Sequence, residues 1–398
     1  MNSEKPSKTS RKQKPLKAEP KILLADTIGQ TLYERLLQAR LDCAASIAHL
    51  AALHSQVSHM GLLDPSYSIF LNTTHTAALC FKVLHKTAII SGDPISHATD
   101  ITSLLSEFQT YRKAHHLGIA FLGASPILTH YAHTHHQHWT MLHFGKERVL
   151  NPTTNAILHE QTGKRILLQT KHLLNPTKGG LTLDIYVPTA NKDSDKERDK
   201  ERDKDKDLER SLQSIYNTWR STRNASSTPQ AFITSYDLFP TFLPSQITYI
   251  YARNPVGEPI AFAALRYLGG KKGYHIDPCI ADPTAPKGTT DLLLFSAIAL
   301  CRTAGVSYLS IGYEPFDDLG EVIGLPGPLE RVARRMYRFA FGRLPLAGKK
   351  AYHDKWKPDE GLEDPLYIVF PGGGVPDVRG VVALMHVANV KIRRVVLG

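Results

Sequence analysis

Gln246 to Gly312 reads QITYIYARNPVGEPIAFAALRYLGGKKGYHIDPCIADPTAPKGTTDLLLFSAIALCRTAGVSYLSIG, and the order of its periodicities points to one architecture. Gln246–Arg253 and Glu258–Leu268 are rich in β-branched and aromatic residues and flank the turn sequence Asn254-Pro255-Val256-Gly257, so they predict a hairpin. Gly269-Gly270-Lys271-Lys272 then turns the chain into a third strand, Gly273–Ile280. Pro286-Lys287-Gly288 opens a helix over Thr289–Ala304, and Val306–Gly312 returns to strand. Pro328–Phe341 reads as an Arg-rich helix and Leu366–Phe370 as a last strand.

The first half has the same outline. After helical text from Gln30 to Leu62, the stretches Tyr67–Asn72, Ala77–Leu84 and Thr87–Ser91 predict three short strands. Ile101–His116 is a helix ended by Gly118, followed by a strand Ile119–Gly123, a helix Pro126–His136 and a strand Trp139–Phe144. Gly163–Asn175 reads as a basic helix and Thr182–Val187 as a strand. A three-strand meander, a helix and a further strand, repeated, resembles acyltransferases of the acetyltransferase-like (GNAT) type. The expected class is α/β (α+β): tandem GNAT-like acyltransferase units, mixed sheets with flanking helices. The expected organisation is a disordered basic tail 1–25, an N-terminal unit 26–190, a charged linker or insertion 191–210, a C-terminal catalytic unit 211–375 and a basic amphipathic segment 376–398. Lys192–Arg210 alternates charges with almost no apolar residue, so it reads as a solvated linker or a single exposed helix.

The formal net charge of +11 suits a polyanionic partner, RNA or an acidic membrane surface. No run of about 18 apolar residues is present to span a bilayer. The Lys-rich start lacks the apolar core of a secretory signal. Cys43, Cys80, Cys279 and Cys301 are far apart and read as reduced cytosolic thiols. His133, His135, His136 and His138 are too crowded for one tetrahedral site and have no carboxylate or Cys beside them, so no metal is expected.

Three stretches carry a resemblance. The first is Ile89-Ile90-Ser91-Gly92-Asp93-Pro94. The second joins Tyr274-His275-Ile276-Asp277 to Pro286-Lys287-Gly288-Thr289-Thr290-Asp291 and Leu309-Ser310-Ile311-Gly312. The third is Ala351-Tyr352-His353-Asp354-Lys355-Trp356-Lys357-Pro358, leading to Pro365-Leu366-Tyr367. In that order they resemble the catalytic C-terminal region of bacterial phosphatidylglycerol lysyltransferases and alanyltransferases, over about residues 60–371. The bacterial enzymes carry a membrane domain ahead of this region. A freestanding version with a Lys-rich tail looks more like the fungal ergosteryl-amino-acid synthases; without a fused aspartyl-tRNA synthetase it looks like the glycine-transferring type. The resemblance therefore implies transfer of an amino acid, glycine, from charged tRNA to the 3β-hydroxyl of ergosterol, with no cofactor beyond the aminoacyl-tRNA. It implies a cytoplasmic protein peripheral on membranes. The sequence departs from the family where Pro278 replaces an Arg after Asp277 and Leu366 stands for an Arg before Tyr367. Loss of Arg suits an acceptor without a phosphate, because the guanidinium fork is the usual phosphate ligand.

The implied chemistry exchanges one ester for another, so the protein must position two substrates, move a proton and stabilise a tetrahedral oxyanion. Lys355 is the candidate for the oxyanion or the departing ribose oxygen; the alternative is a surface Lys lying beside Trp356. Asp277 is expected to hold the transferred amino group or act as base. Glu314 is a second candidate base, and Asp291 either joins them or only favours a helix start. Lys287, Gly288 and Thr289 form a candidate anion-binding helix start, and Tyr352, Gly92, Asp93 and Pro94 are candidate substrate contacts. Arg331, Arg334, Arg335 and Arg338, extended by Lys349 and Lys350, form a candidate tRNA-backbone patch or a solvated basic face. Arg379–Leu397 reads either as an interfacial helix or as one packed on the core. Rival functions are a phosphatidylglycerol aminoacyltransferase, an acetyl-CoA-dependent N-acyltransferase, and a non-catalytic RNA- or membrane-binding module.

Overall fold

The computed structural model describes residues 43–136, 138–188, 196–225, 235–243, 246–341, 346–372 and 376–387. The expected tail 1–25 and the first part of the expected N-terminal helix lie outside them. Helix α1 covers residues 43–54. The apolar alternations that follow form β1 (Ser68–Leu71), β2 (Ala77–Leu84) and β3 (Thr87–Ser91), an antiparallel meander, with the short β4 (Ile95–Ser96) paired to β2. Helix α2 (Ile101–Ala114) buries Ile101, Leu104 and Phe108, and β5 (Gly118–Ala124) then returns parallel to β3. Next come α3 (Pro126–His135), β6 (Thr140–Leu150), α4 (Lys164–Leu174), β7 (Thr182–Tyr186) and α5 (Lys196–Ala225). The second half repeats the opening route. β8 (Ile247–Arg253), β9 (Pro259–Leu268) and β10 (Gly273–Ala281) form the meander, α6 (Thr289–Thr303) crosses, and β11 (Leu309–Pro315) lies parallel to β10.

The two halves share one mixed sheet, and the chain exchanges strands to build it. β6 pairs with β11, and β7 pairs with β8 at the far edge. β12 (Val322–Ile323) also pairs with β6. The last strand, β13 (Pro365–Phe370), inserts between β5 and β6, antiparallel to both. The resulting order is β1-β2-β3-β5-β13-β6-β11-β10-β9-β8-β7.

Helices pack against this sheet. Leu104 and Phe108 of α2 meet Phe81, Phe121 and Trp139 in one core. Leu293, Ala297 and Ile298 of α6 meet Ile250, Ala263 and Trp356 in another. The charged run continues into α5, whose later residues Leu212, Ile215 and Tyr216 bury against Tyr249 and Phe262. The apolar half of α5 thus anchors the charged half.

Four local outcomes differ from, or choose between, the sequence expectations. Helix α1 does not run on to Leu62. The chain restarts as a 3-10 helix, Val57–Leu63, because the Gln56 N–H donates to Nδ1 of buried His59 at 2.9 Å. Gly118 opens β5 instead of ending α2, and His115 and His116 make the turn, His116 at φ 53°. After α7 (Gly327–Phe341) comes a further helix, α8 (Leu346–Asp354), which the sequence pattern does not predict. Finally, α9 (Val378–Val387) follows β13 and buries Ala383 and Leu384 against Ile89, Ala120 and Phe370, so this part of the C-terminal segment packs on the core. The remainder of that segment lies outside the described residues. Among the described residues no helix is long and apolar enough to cross a membrane.

Candidate active site

The two parallel strand pairs behave differently. β3 and β5 stay in register from Thr87↔Gly118 to Ser91↔Leu122. β10 and β11 pair only at Tyr274↔Leu309 and His275↔Ser310, then part. The cause is an irregularity on each strand just past that point. β10 shifts register against β9 between Ile276 and Cys279, where Pro278 has no N–H to donate. β11 shifts against β6 between Ser310 and Gly312, and Gly312 takes φ 100°, a conformation that residues with a Cβ resist. The diverging strands open a cleft in the second half, while the equivalent pair in the first stays joined.

Asp277 and Glu314 lie on the two arms of this V, and Lys349 enters it from α8. A Cβ on Gly312 would sit 3.9 Å from the Lys349 Nζ and 3.5 Å from His275 Cε1. Lys349 is exposed, yet the surrounding protein desolvates its ammonium and holds its pKa below the usual lysine value, against the pull of Asp277 and Glu314. Exposed by area but crowded by protein, it stands in a recess open to solvent. Asp277 is half-buried, and its Oδ2 accepts from the Tyr236 hydroxyl at 2.6 Å. Burial pushes its carboxyl above the ordinary range, opposed by Tyr236, Lys349 and Arg266. Glu314 is buried and is also raised by burial; its Oε2 lies 3.3 Å from Arg148 Nε and 3.3 Å from His353 Nδ1. Arg148 also pairs with Asp354 and, at 2.9 Å, with Glu363. Burial pushes His275 and His353 down to about 3, so both are neutral imidazoles at neutral pH.

Lys355 and Asp291 form a second pole. The Lys355 Nζ donates to both Asp291 oxygens, at 2.7 and 2.8 Å. It also lies 4.6 Å from the Tyr352 ring centroid and 5.5 Å from that of Trp356. Both rings belong to the core under α6, so they fix this lysine in place. Cys279 lies two residues past Asp277, and its thiol donates at 3.6 Å to the carbonyl of Thr290, the residue before Asp291.

The other candidates are placed differently. Gly288 caps α6 at φ 92°, but the Gln169 side chain of α4 covers it and donates to the Lys287 carbonyl at 2.5 Å. Thr289 is buried and donates to the Pro286 carbonyl at 2.6 Å. The Gln169 side chain thus covers Gly288, while Lys287 is exposed. Asp93 is buried, accepting from the Ser125 N–H at 2.8 Å, the Ser125 hydroxyl at 2.5 Å and Gln56 Nε2 at 3.4 Å. Gly92 packs on Ser58 at φ 75°, and Pro94 is buried, so this motif ties the end of β3 into the first half. Arg334 donates to the carbonyls of Leu319 and Gly320 and pairs with Glu330 at 2.9 Å, which anchors α7. Arg331, Arg335, Arg338, Lys349 and Lys350 are exposed. Among the described residues no group of three His, Cys, Asp or Glu side chains is placed to hold a metal. Sequence pattern alone does not single out Tyr236, Arg148, His353 or Gln169. Pro278 and Gly312 inside strand text are the available bulge signals.

Two carboxylates on strands that part, a lysine between them and a second lysine held by Asp291 are groups that can move a proton and stabilise charge in acyl transfer. The chain belongs to the family described as Phosphatidylglycerol lysyltransferase, C-terminal, which it matches over residues 47–165 and 194–370. Membership makes it an acyltransferase, an aminoacyl-tRNA-dependent lipid aminoacyltransferase. Two solved structures share the fold. The C-terminal domain of a protein described as a lysylphosphatidylglycerol synthetase from Agrobacterium fabrum has a TM-score of 0.63 at 19% identity, covering 87% of this chain and 95% of that one. L-PGS from Bacillus licheniformis has a TM-score of 0.61 at 16% identity, covering 85% and 93%. At these identities the likeness is one of fold alone. No curated protein sequence matches the chain.

Proposed function

We propose that the acceptor is an uncharged lipid alcohol, ergosterol at its 3β-hydroxyl, and that the donor is glycyl-tRNA, as in the glycine-transferring fungal ergosteryl-amino-acid synthases. The observation that supports the acceptor is the state of the arginines around the cleft. Arg148 is pinned by Glu314, Asp354 and Glu363. Arg266 is buried and donates to the carbonyls of Gln56 and Val57 at 3.0 and 3.3 Å. Where the family resemblance places further arginines, Pro278 and Leu366 are buried and apolar, Leu366 in a core with Phe144 and Tyr337. Neither Arg148 nor Arg266 offers an open fork to a lipid phosphate. The glycyl donor rests on the resemblance to the fungal ergosteryl-amino-acid synthases.

In this reading the lipid hydroxyl attacks the aminoacyl carbonyl carbon. Asp277 accepts the hydroxyl proton, favoured by its raised pKa, and Tyr236 holds the carboxylate in place. Lys349 stabilises the tetrahedral oxyanion. Collapse breaks the bond to the ribose oxygen, which leaves with a proton from Lys355, and Asp291 fixes that ammonium. One ester is lost and one is gained, with no net redox change.

The test incubates purified protein with total charged tRNA and vesicles containing ergosterol and phosphatidylglycerol, and identifies aminoacylated lipid by mass. Glycyl-ergosterol that disappears after RNase treatment is the expected product. Aminoacyl-phosphatidylglycerol alone would replace the sterol assignment, and no lipid product from any aminoacyl-tRNA would defeat the reading.

A further inference from the structure

Helix α7 presents two stripes to solvent. Its inner side is fixed by the Tyr337 hydroxyl, held against the carbonyls of Phe144 and Phe316 at 2.7 and 2.9 Å, and by Arg334 on the loop before β12. Successive helical residues turn by about 100°. Arg331, Arg335 and Arg338 therefore fall on one outward line, and Val332, Met336 and Phe339 on the adjacent one. The apolar line is 54%, 54% and 44% exposed, and the three arginines are exposed with it. Arg338 lies 3.8 Å from Asp318, a loose contact.

A helix that faces only water gains nothing from Val332 and Met336 at i and i+4 beside a row of cations. An RNA backbone would use the arginines and leave Val332 and Met336 in water. An anionic bilayer surface uses both: apolar side chains enter the acyl boundary, and guanidinium groups meet the phosphates. The position suits this. Tyr337 binds α7 to Phe316, just past Glu314 in the chain, and α8 with Lys349 comes next after α7.

We propose that α7 is the membrane-docking element. It lies in the plane of an anionic lipid surface, with Val332 and Met336 inserted and Arg331, Arg335 and Arg338 at the headgroups. This rests on the reading of the protein as a lipid aminoacyltransferase and names the surface that brings the cleft to its acceptor.

The full chain is floated with vesicles of phosphatidylcholine alone and of phosphatidylcholine mixed with phosphatidylglycerol. No tRNA is present, so vesicle binding is read apart from turnover. The wild type is expected to float with the anionic vesicles; flotation with neither kind overturns the proposal. Val332→Ser with Met336→Ser should lower binding at least about tenfold. Arg331→Gln with Arg335→Gln should lower it about thirtyfold, the equivalent of roughly 1 kcal/mol per arginine. Both variants should bind tRNA as the wild type does. Val332→Trp supplies a result that misfolding does not mimic: tighter binding and a blue-shifted tryptophan emission on anionic vesicles. Wild-type vesicle binding by the serine variant, or no blue shift in Val332→Trp, overturns the proposal. Loss of tRNA binding by the glutamine variant at unchanged vesicle binding also overturns it and gives the helix to RNA.

Discussion

Replacing Lys349 by Met removes the ammonium that stands over Gly312 and keeps an unbranched side chain of similar length. Lys349 is exposed, so the fold should survive. Loss of one preorganised oxyanion donor costs about 2.7–4 kcal/mol of transition-state stabilisation, or about 100- to 1000-fold in kcat. The pH profile should change with it. Turnover needs Asp277 ionised and Lys349 charged. In the wild type the acid limb lies above the ordinary carboxylate range, because burial raises Asp277, and the alkaline limb lies below the ordinary lysine range, because the surrounding protein desolvates the Lys349 ammonium. In the variant the Lys349 charge no longer pulls the Asp277 pKa down, leaving Tyr236 and Arg266 to do so. The acid limb should therefore move to higher pH, and the Lys349 limb should vanish. The assay is single-turnover transfer of a labelled aminoacyl group to vesicle lipid across pH. A kcat within about threefold of wild type, or an acid limb that stays or moves down, would remove Lys349 from the chemistry.

Three further outcomes are expected. Arg148→Met leaves the buried Glu314 carboxylate with only the neutral His353 beside it, while Glu363 keeps Lys146 at 2.6 Å, and should cost about 3–5 kcal/mol in urea unfolding. Glu147 on β6 is buried, and burial raises its carboxyl from an ordinary 4.5 to about 7. Its folded pKa exceeds its unfolded one, so its contribution is intact at low pH and the wild type loses about 3 kcal/mol as pH rises through that window. Glu147→Gln should remove that loss, seen as a flatter denaturation midpoint between about pH 4 and about pH 8. Gly312→Ala places a Cβ at φ 100° and should cost about 1–3 kcal/mol, with a larger fall in kcat than in vesicle binding if the β11 bulge shapes the cleft.

Much of the fold is written in local pattern. The apolar runs of Ala77–Leu84 and Pro259–Leu268 and the helical spacing of Thr289–Thr303 each carry their own structure, because the periods of strand and helix set which side chains can be buried together. Asp277 and Glu314 are legible as candidates because one precedes Pro278 and the other follows shortly after Gly312, residues that disturb a ladder, although β10 runs on past Asp277 to Ala281. The oxyanion role proposed for Lys349 is not, since a lysine in Gly348-Lys349-Lys350 looks like surface charge until α8 carries it to β11.

Strands, most helices and the family resemblance could be read from residues that are neighbours in the chain. Long-range folding settled the rest: β13 enters between β5 and β6, β10 and β11 part while β3 and β5 do not, and Arg148 is consumed by carboxylates. Those outcomes depend on pairings between residues far apart in the chain, such as Arg148 with Asp354 and Tyr236 with Asp277, and no local period encodes them.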